Sequence, residues 1–125
     1  MKSRLGCLGA GLILVAALWI GWNFMTGYLP VRTFDSDTWK RAERAGDHSR
    51  LHMIEHLVWS GQLDGLTEAQ VIELLGTPPE TNYFREWDYV YRLGPERSFI
   101  GIDSEWLVID FDRAGMVAKY DVVRD

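Results

Sequence analysis

Between Gly65 and Pro79 the chain carries a short helix with both ends written into its residues. Thr67 suits the N-cap, and Gln70 three residues later can bond back to the cap's N–H, the reciprocal arrangement of a capping box. Glu68 places a carboxylate in the first turn, where the helix dipole favours negative charge. Gly76 suits the left-handed position after the last turn, and Pro78 forbids continuation. Val71, Leu74 and Leu75 share one face, which needs cover from another element. The chain beyond Pro79 is β-like to Asp125, so the expected cover is a sheet.

Charge is distributed unevenly. Residues 5–31 carry none, whereas residues 32–125 hold 11 of the 13 Lys and Arg and all 18 Asp and Glu, a net of −7. An acidic body without a basic cluster excludes nucleic acid as a partner, because phosphate binding draws on Lys and Arg. The uncharged run supplies the ~20 apolar residues that a helix needs to cross a bilayer core. Trp19, Trp22 and Tyr28 lie toward its far end, as interfacial aromatics do. Lys2 and Arg4 before it place the N-terminus inside, so the rest lies outside the cytoplasm. A cleaved signal peptide is the competing reading, but the exit Trp19-Ile20-Gly21-Trp22 is bulky where cleavage wants small residues. Cys7, the single cysteine, precedes the run and reads as a small apolar residue that forms no intramolecular disulfide.

Pro30 ends the apolar helix. Asp35, Ser36 and Asp37 offer caps for a helix from Thr38 to Ala45, stopped by Gly46. Asp47 or Ser49 can cap the next, which runs to about Ser60 and turns Leu51, Ile54, Leu57 and Val58 inward. His48, His52 and His56 stand at i, i+4, i+8 on that helix, a spacing that can grip a divalent metal. Their face points away from the apolar one, which predicts a solvated stripe, and a zinc site usually recruits a ligand from a second element. No metal and no cofactor are therefore expected, with the three histidines as the weak candidates.

After the Pro78-Pro79 turn, Phe84 to Leu93 reads as a strand, with Trp87, Tyr89 and Tyr91 on one face and Asp88, Val90 and Arg92 on the other. Gly94 to Arg97 reads as a turn, with a short extension from Ser98 to Ile102. Glu105 to Asp112 is the most strand-like stretch, with Leu107, Ile109 and Phe111 inward; after a tight turn at Arg113 to Met116, Val117 to Val123 returns as the last strand. The fold expected is α+β: an N-terminal transmembrane helix, then two to three short helices packed on a three- to four-stranded antiparallel sheet, a two-layer sandwich. Its parts are a signal anchor at residues 1–29, a linker at 30–36 and a domain at 37–125.

These residues carry a resemblance. Gly65-Leu66-Thr67, Gln70-Val71, Leu74-Leu75-Gly76 and Pro78, then Trp87 and Tyr89, then Leu107 to Asp112 with Gly115 and Val117, resemble the BamE/SmpA-type domain. That family consists of small envelope proteins typified by the lipoprotein subunit of the outer-membrane β-barrel assembly machinery. The resemblance spans about residues 51–125 and implies two helices followed by a three-stranded antiparallel sheet, with an envelope address. Typical members carry a lipidated cysteine after the apolar region, which this chain lacks. The matching positions are caps, turn glycines and core residues, so no functional residue is carried over.

Catalysis is not expected. The carboxylate pairs Glu86/Asp88, Asp103/Glu105 and Asp110/Asp112 share strand faces, yet no nucleophile elbow, phosphate loop or Cys/His cluster accompanies them. They read as solvated groups on the open face of a one-sided sheet. Trp87, Tyr89, Tyr91 and Trp106 form the candidate interaction surface, since Tyr and Trp are favoured in recognition, with core packing as the alternative. The expectation is a non-catalytic, extracytoplasmic domain tethered to the inner membrane by a single pass, N-terminus inside, that binds or helps assemble another envelope protein. The alternative is a small-ligand or metal-binding envelope protein.

Overall fold

The computed structural model describes residues 11–20, 31–45, 48–97 and 101–125. The chain divides into two units, Met1–Leu29 with Arg97–Phe99, and Pro30–Glu96 with Ile100–Asp125. In the first, residues 11–20 are helical (α1), and every one of these ten residues is exposed. No helix among the described residues is long and apolar enough to cross a membrane. The remaining residues of the expected anchor, 1–10 and 21–29, lie outside the described residues.

The second unit runs α2 (Ser36–Ala45), α3 (Ser49–Trp59), α4 (Glu68–Leu75), then β1 (Tyr89–Pro95), β2 (Ser104–Phe111) and β3 (Val117–Arg124). The strands form an antiparallel meander in the order β1-β2-β3. The helices cover one face, where Trp39, Leu51, Ile54, Leu57, Val71, Leu75, Tyr91, Leu107 and Ile109 make the main core.

The capped helix forms as its residues dictate. Thr67 Oγ1 accepts from the Gln70 N–H at 3.3 Å, and Gln70 Oε1 accepts from the Thr67 N–H at 2.9 Å. Gly76 has φ +85 with ψ 171, an extended conformation at positive φ rather than the expected left-handed turn, and one that side chains disfavour. Val71 and Leu75 are fully buried, while Leu74 packs at the margin. Two carbonyls at the helix end find partners elsewhere: Ser36 Oγ donates to Leu74 O at 2.5 Å, and Tyr91 Oη to Gly76 O at 2.8 Å.

Several boundaries differ from the expectation. α2 begins at Ser36, because Asp35 is its cap: Asp35 Oδ2 accepts from the Thr38 N–H at 2.9 Å and from Thr38 Oγ1 at 2.5 Å. α3 is preceded by His48 with no side-chain cap bond, and Ser49 is its first residue rather than its cap. Gly46 and Asp47, the expected stop and cap, lie outside the described residues, as do 98–100 of the expected extension. Arg50 and Met53 of α3 are buried beside the four apolar residues expected there.

β1 starts at Tyr89, five residues later than expected. Phe84 adopts φ +52, which no strand allows, and residues 82–88 fold as turns. At its far end, Gly94-Pro95 continues the strand through a register shift instead of turning. A Cβ on Gly94 would stand 2.8 Å from Leu51 Cδ1, so the absent side chain is what lets α3 approach the strand.

The sheet is not one-sided. Val90, Trp106 and Val108 form a second buried cluster on its outer face, covered by Phe84, Trp87 and Val123. β2 is consequently buried on both faces from Glu105 to Ile109.

Candidate interaction surface

The four aromatic residues do not form one surface. Tyr91 is 1% exposed in the core between sheet and helices, its ring edge-on to Trp39 at 6.5 Å. Tyr89 lies on the same face, half-buried, in edge contact with Phe111 at 4.8 Å. Burial, and then the nearby carboxylates of Glu68 and Asp88, raise its hydroxyl above the ordinary value of 10.0. Trp106 is 5% exposed on the opposite face, where its Nε1 donates to Asp125 Oδ2 at 3.2 Å. Trp87 is on that outer face too, half-buried, because the turns at 82–88 carry it out of strand alternation. Core packing therefore accounts for Tyr91 and Trp106, which offer no surface to a partner.

The outer face holds what the strand pattern missed. Tyr83 is 51% exposed and stacks on Trp106 with centroids 5.1 Å apart. Phe84 meets the same indole edge-on at 6.1 Å. Lys119 Nζ lies 4.9 Å over the Trp87 ring and 3.6 Å from Asp110 Oδ2. Tyr83 on Trp106, and Trp87 on the same outer-face cluster with Lys119 beside it, make the aromatic ledge of this face, packed on its inner side and open to solvent on its outer side. The signal available in the sequence was the aromatic pair Tyr83-Phe84 directly after a Pro-Pro turn.

Three of the six carboxylates, Asp88, Asp110 and Asp112, hold backbone. Asp88 Oδ2 accepts from the Phe111 N–H at 2.8 Å, and Asp110 Oδ1 from the Asp88 N–H at 2.9 Å. Asp112 Oδ1 accepts from the N–H groups of Ala114 and Met116, closing the β2–β3 turn. Glu105 is 2% exposed. Glu86, Asp88, Asp103 and Asp112 are exposed, as expected, and the structural bonds of Asp88 and Asp112 are made at the surface; Glu105 alone of the six is buried.

The histidine stripe is likewise not a free face. His48 is exposed, but His52 and His56 are half-buried under residues 31–35. Arg32 N–H donates to His52 O at 2.8 Å, and Phe34 N–H to His56 Nδ1 at 2.9 Å. Among the described residues no group of three or more His, Cys, Asp or Glu is placed to hold a metal ion.

Residues 63–121 match the family model of the outer membrane protein assembly factor BamE domain. Residues 63–121, just under half of the chain, are similar to that domain. The match begins at the buried Leu63, spans α4, β1 and β2, and ends within β3, so it includes the aromatic ledge and leaves α2 and α3 outside. No curated protein and no solved structure matches the chain. The family it resembles there is described as one of outer-membrane protein assembly factors.

Proposed function

We propose that this protein is a membrane-tethered, extracytoplasmic binding module that holds or helps assemble another envelope protein through the ledge of Tyr83 and Trp87. The match to the BamE domain at residues 63–121 carries this reading. A rigid aromatic ledge with a cation at its rim supports it, since exposed Tyr and Trp supply large contact area at small entropic cost. The tether is proposed to be a single inner-membrane pass with the N-terminus inside. Leu12, Ile13, Leu14, Val15, Leu18, Trp19 and Ile20 are 62–73% exposed on α1, and a helix apolar on every face belongs in lipid.

The test is crosslinking of the intact protein in membranes, with identification of what it captures. Capture of an envelope protein by wild type, and its loss in Tyr83→Ala and Trp87→Ala, supports the reading; undiminished capture by both variants defeats the ledge. The tether is tested separately. Full-length protein resisting carbonate extraction supports it, and a soluble mature form lacking about the first 25 residues, a signal peptide's length, replaces it with a cleaved leader.

A further inference from the structure

Residues 31–35 come directly after the proposed anchor and lie as a strap along α3. Three bonds attach them: Arg32 N–H to His52 O at 2.8 Å, Phe34 N–H to His56 Nδ1 at 2.9 Å, and Asp35 N–H to Met53 Sδ at 3.4 Å. The Phe34 ring closes the strap, 9% exposed and 5.8 Å from Trp39. The middle bond differs in kind from the first, because a carbonyl accepts at any pH but a ring nitrogen accepts only while it carries no proton.

We propose that His56 is an acid-sensitive latch for this strap. With a neutral imidazole, Nδ1 takes the Phe34 N–H and the proton resides on Nε2. Protonation at Nδ1 turns the acceptor into a donor facing another donor. The Phe34 N–H then loses its partner, and a positive charge is placed in a half-buried site. The latch is closed while the ring is neutral and opens when the ring takes up a proton. The charged and titratable groups around it are Arg32 and Asp35 on the strap, His52 and Glu55 on α3, and Asp37, Lys40 and Arg41 on α2, against which Phe34 packs. The Asp35 carboxylate, which could otherwise receive an imidazolium, is occupied by the Thr38 hydroxyl and N–H. His56 makes no ion pair among the described residues. Where the chain is tethered as proposed, release of five residues adds up to ~17 Å of reach. The latch itself does not depend on the tether.

The experiment is amide hydrogen exchange on the full chain in detergent micelles at pH 7.5 and 5.0, with each rate referred to its intrinsic value. The Phe34 amide of wild type should lose protection about fivefold or more at the lower pH, the scale of one net hydrogen bond. The Val71 amide, bonded to Thr67 O inside the matched segment, should be unchanged. His56→Asn offers an amide oxygen near Nδ1 that does not titrate here, so its Phe34 protection should be the same at both pH values. His56→Leu should be unprotected at both. Equal wild-type protection at the two pH values overturns the proposal, as does a loss in His56→Asn equal to that of wild type. If a variant does not fold, the wild-type comparison decides alone.

Discussion

Arg50 reaches back onto Trp39: its Nε donates to the Trp39 carbonyl at 3.0 Å while its guanidinium carbon lies 4.9 Å over the indole ring. Its Nη1 also donates to Arg92 O at 3.0 Å, so one side chain joins α2, α3 and the outer edge of β1. At 4% exposure this is a buried cation that bonds carbonyls on two other elements. A planar fork suits that task and an ammonium does not. Arg50→Met should destabilise by roughly 2–4 kcal/mol, because it strands two carbonyls, and Arg50→Lys should recover only part of the loss. Urea melts of the full chain in micelles measure both.

The capped helix separates local from tertiary contributions. Thr67→Ala removes one cap bond and should cost ~1 kcal/mol. Leu75→Ala empties a site 1% exposed and should cost ~2–5 kcal/mol through transfer and cavity together. Leu74, half-buried at the margin, should fall well below Leu75 in the same melts.

The cap of α2 gives a pH dependence. The Thr38 hydroxyl, and then the Thr38 N–H, hold the Asp35 carboxyl below its ordinary 3.8. A carboxyl lowered on folding stabilises the fold above the unfolded value and loses that contribution as pH falls through its own folded value. Asp35→Asn should therefore be less stable than wild type at neutral pH, and the two should converge on acidification below pH 3.8. Thermal melts across that range check it; a gap that persists at the acidic end rules out the charged cap as its source.

On the ledge, Tyr83→Ala and Trp87→Ala should each weaken partner capture by about tenfold or more if they act as anchor residues. Their effect on stability should be smaller than that of Trp106→Ala, whose side chain is buried under them. Tyr91→Phe should leave capture unchanged while losing the bond to Gly76 O, at about 1 kcal/mol of stability. Titration against the captured protein, paired with melts, separates the two classes.

Features whose causes lie within a few residues were legible in the sequence. The Thr67/Gln70 box, the stop at Gly76, the inward set Leu51, Ile54 and Leu57, and the alternation of Leu107, Ile109 and Phe111 all arise from local propensity and periodicity. The order of helices before a meander came from the same signals, and so did the resemblance, which the match to the BamE domain at residues 63–121 bears out. Tertiary structure decided the rest, because it depends on partners far along the chain. Whether Trp87 belonged with Tyr89 turned on the positive φ of Phe84, which strand alternation does not register. Whether the outer sheet face was open turned on residues 82–88 folding over Trp106 and Val108. Arg50 reads as surface by composition, yet carbonyls eleven and 42 residues away make its burial favourable. His56 was on the face opposite the core, and only the strap ending at Asp35 turned that face into an interface. A polar side chain can be buried only when its partners are, and periodicity carries no information about those partners.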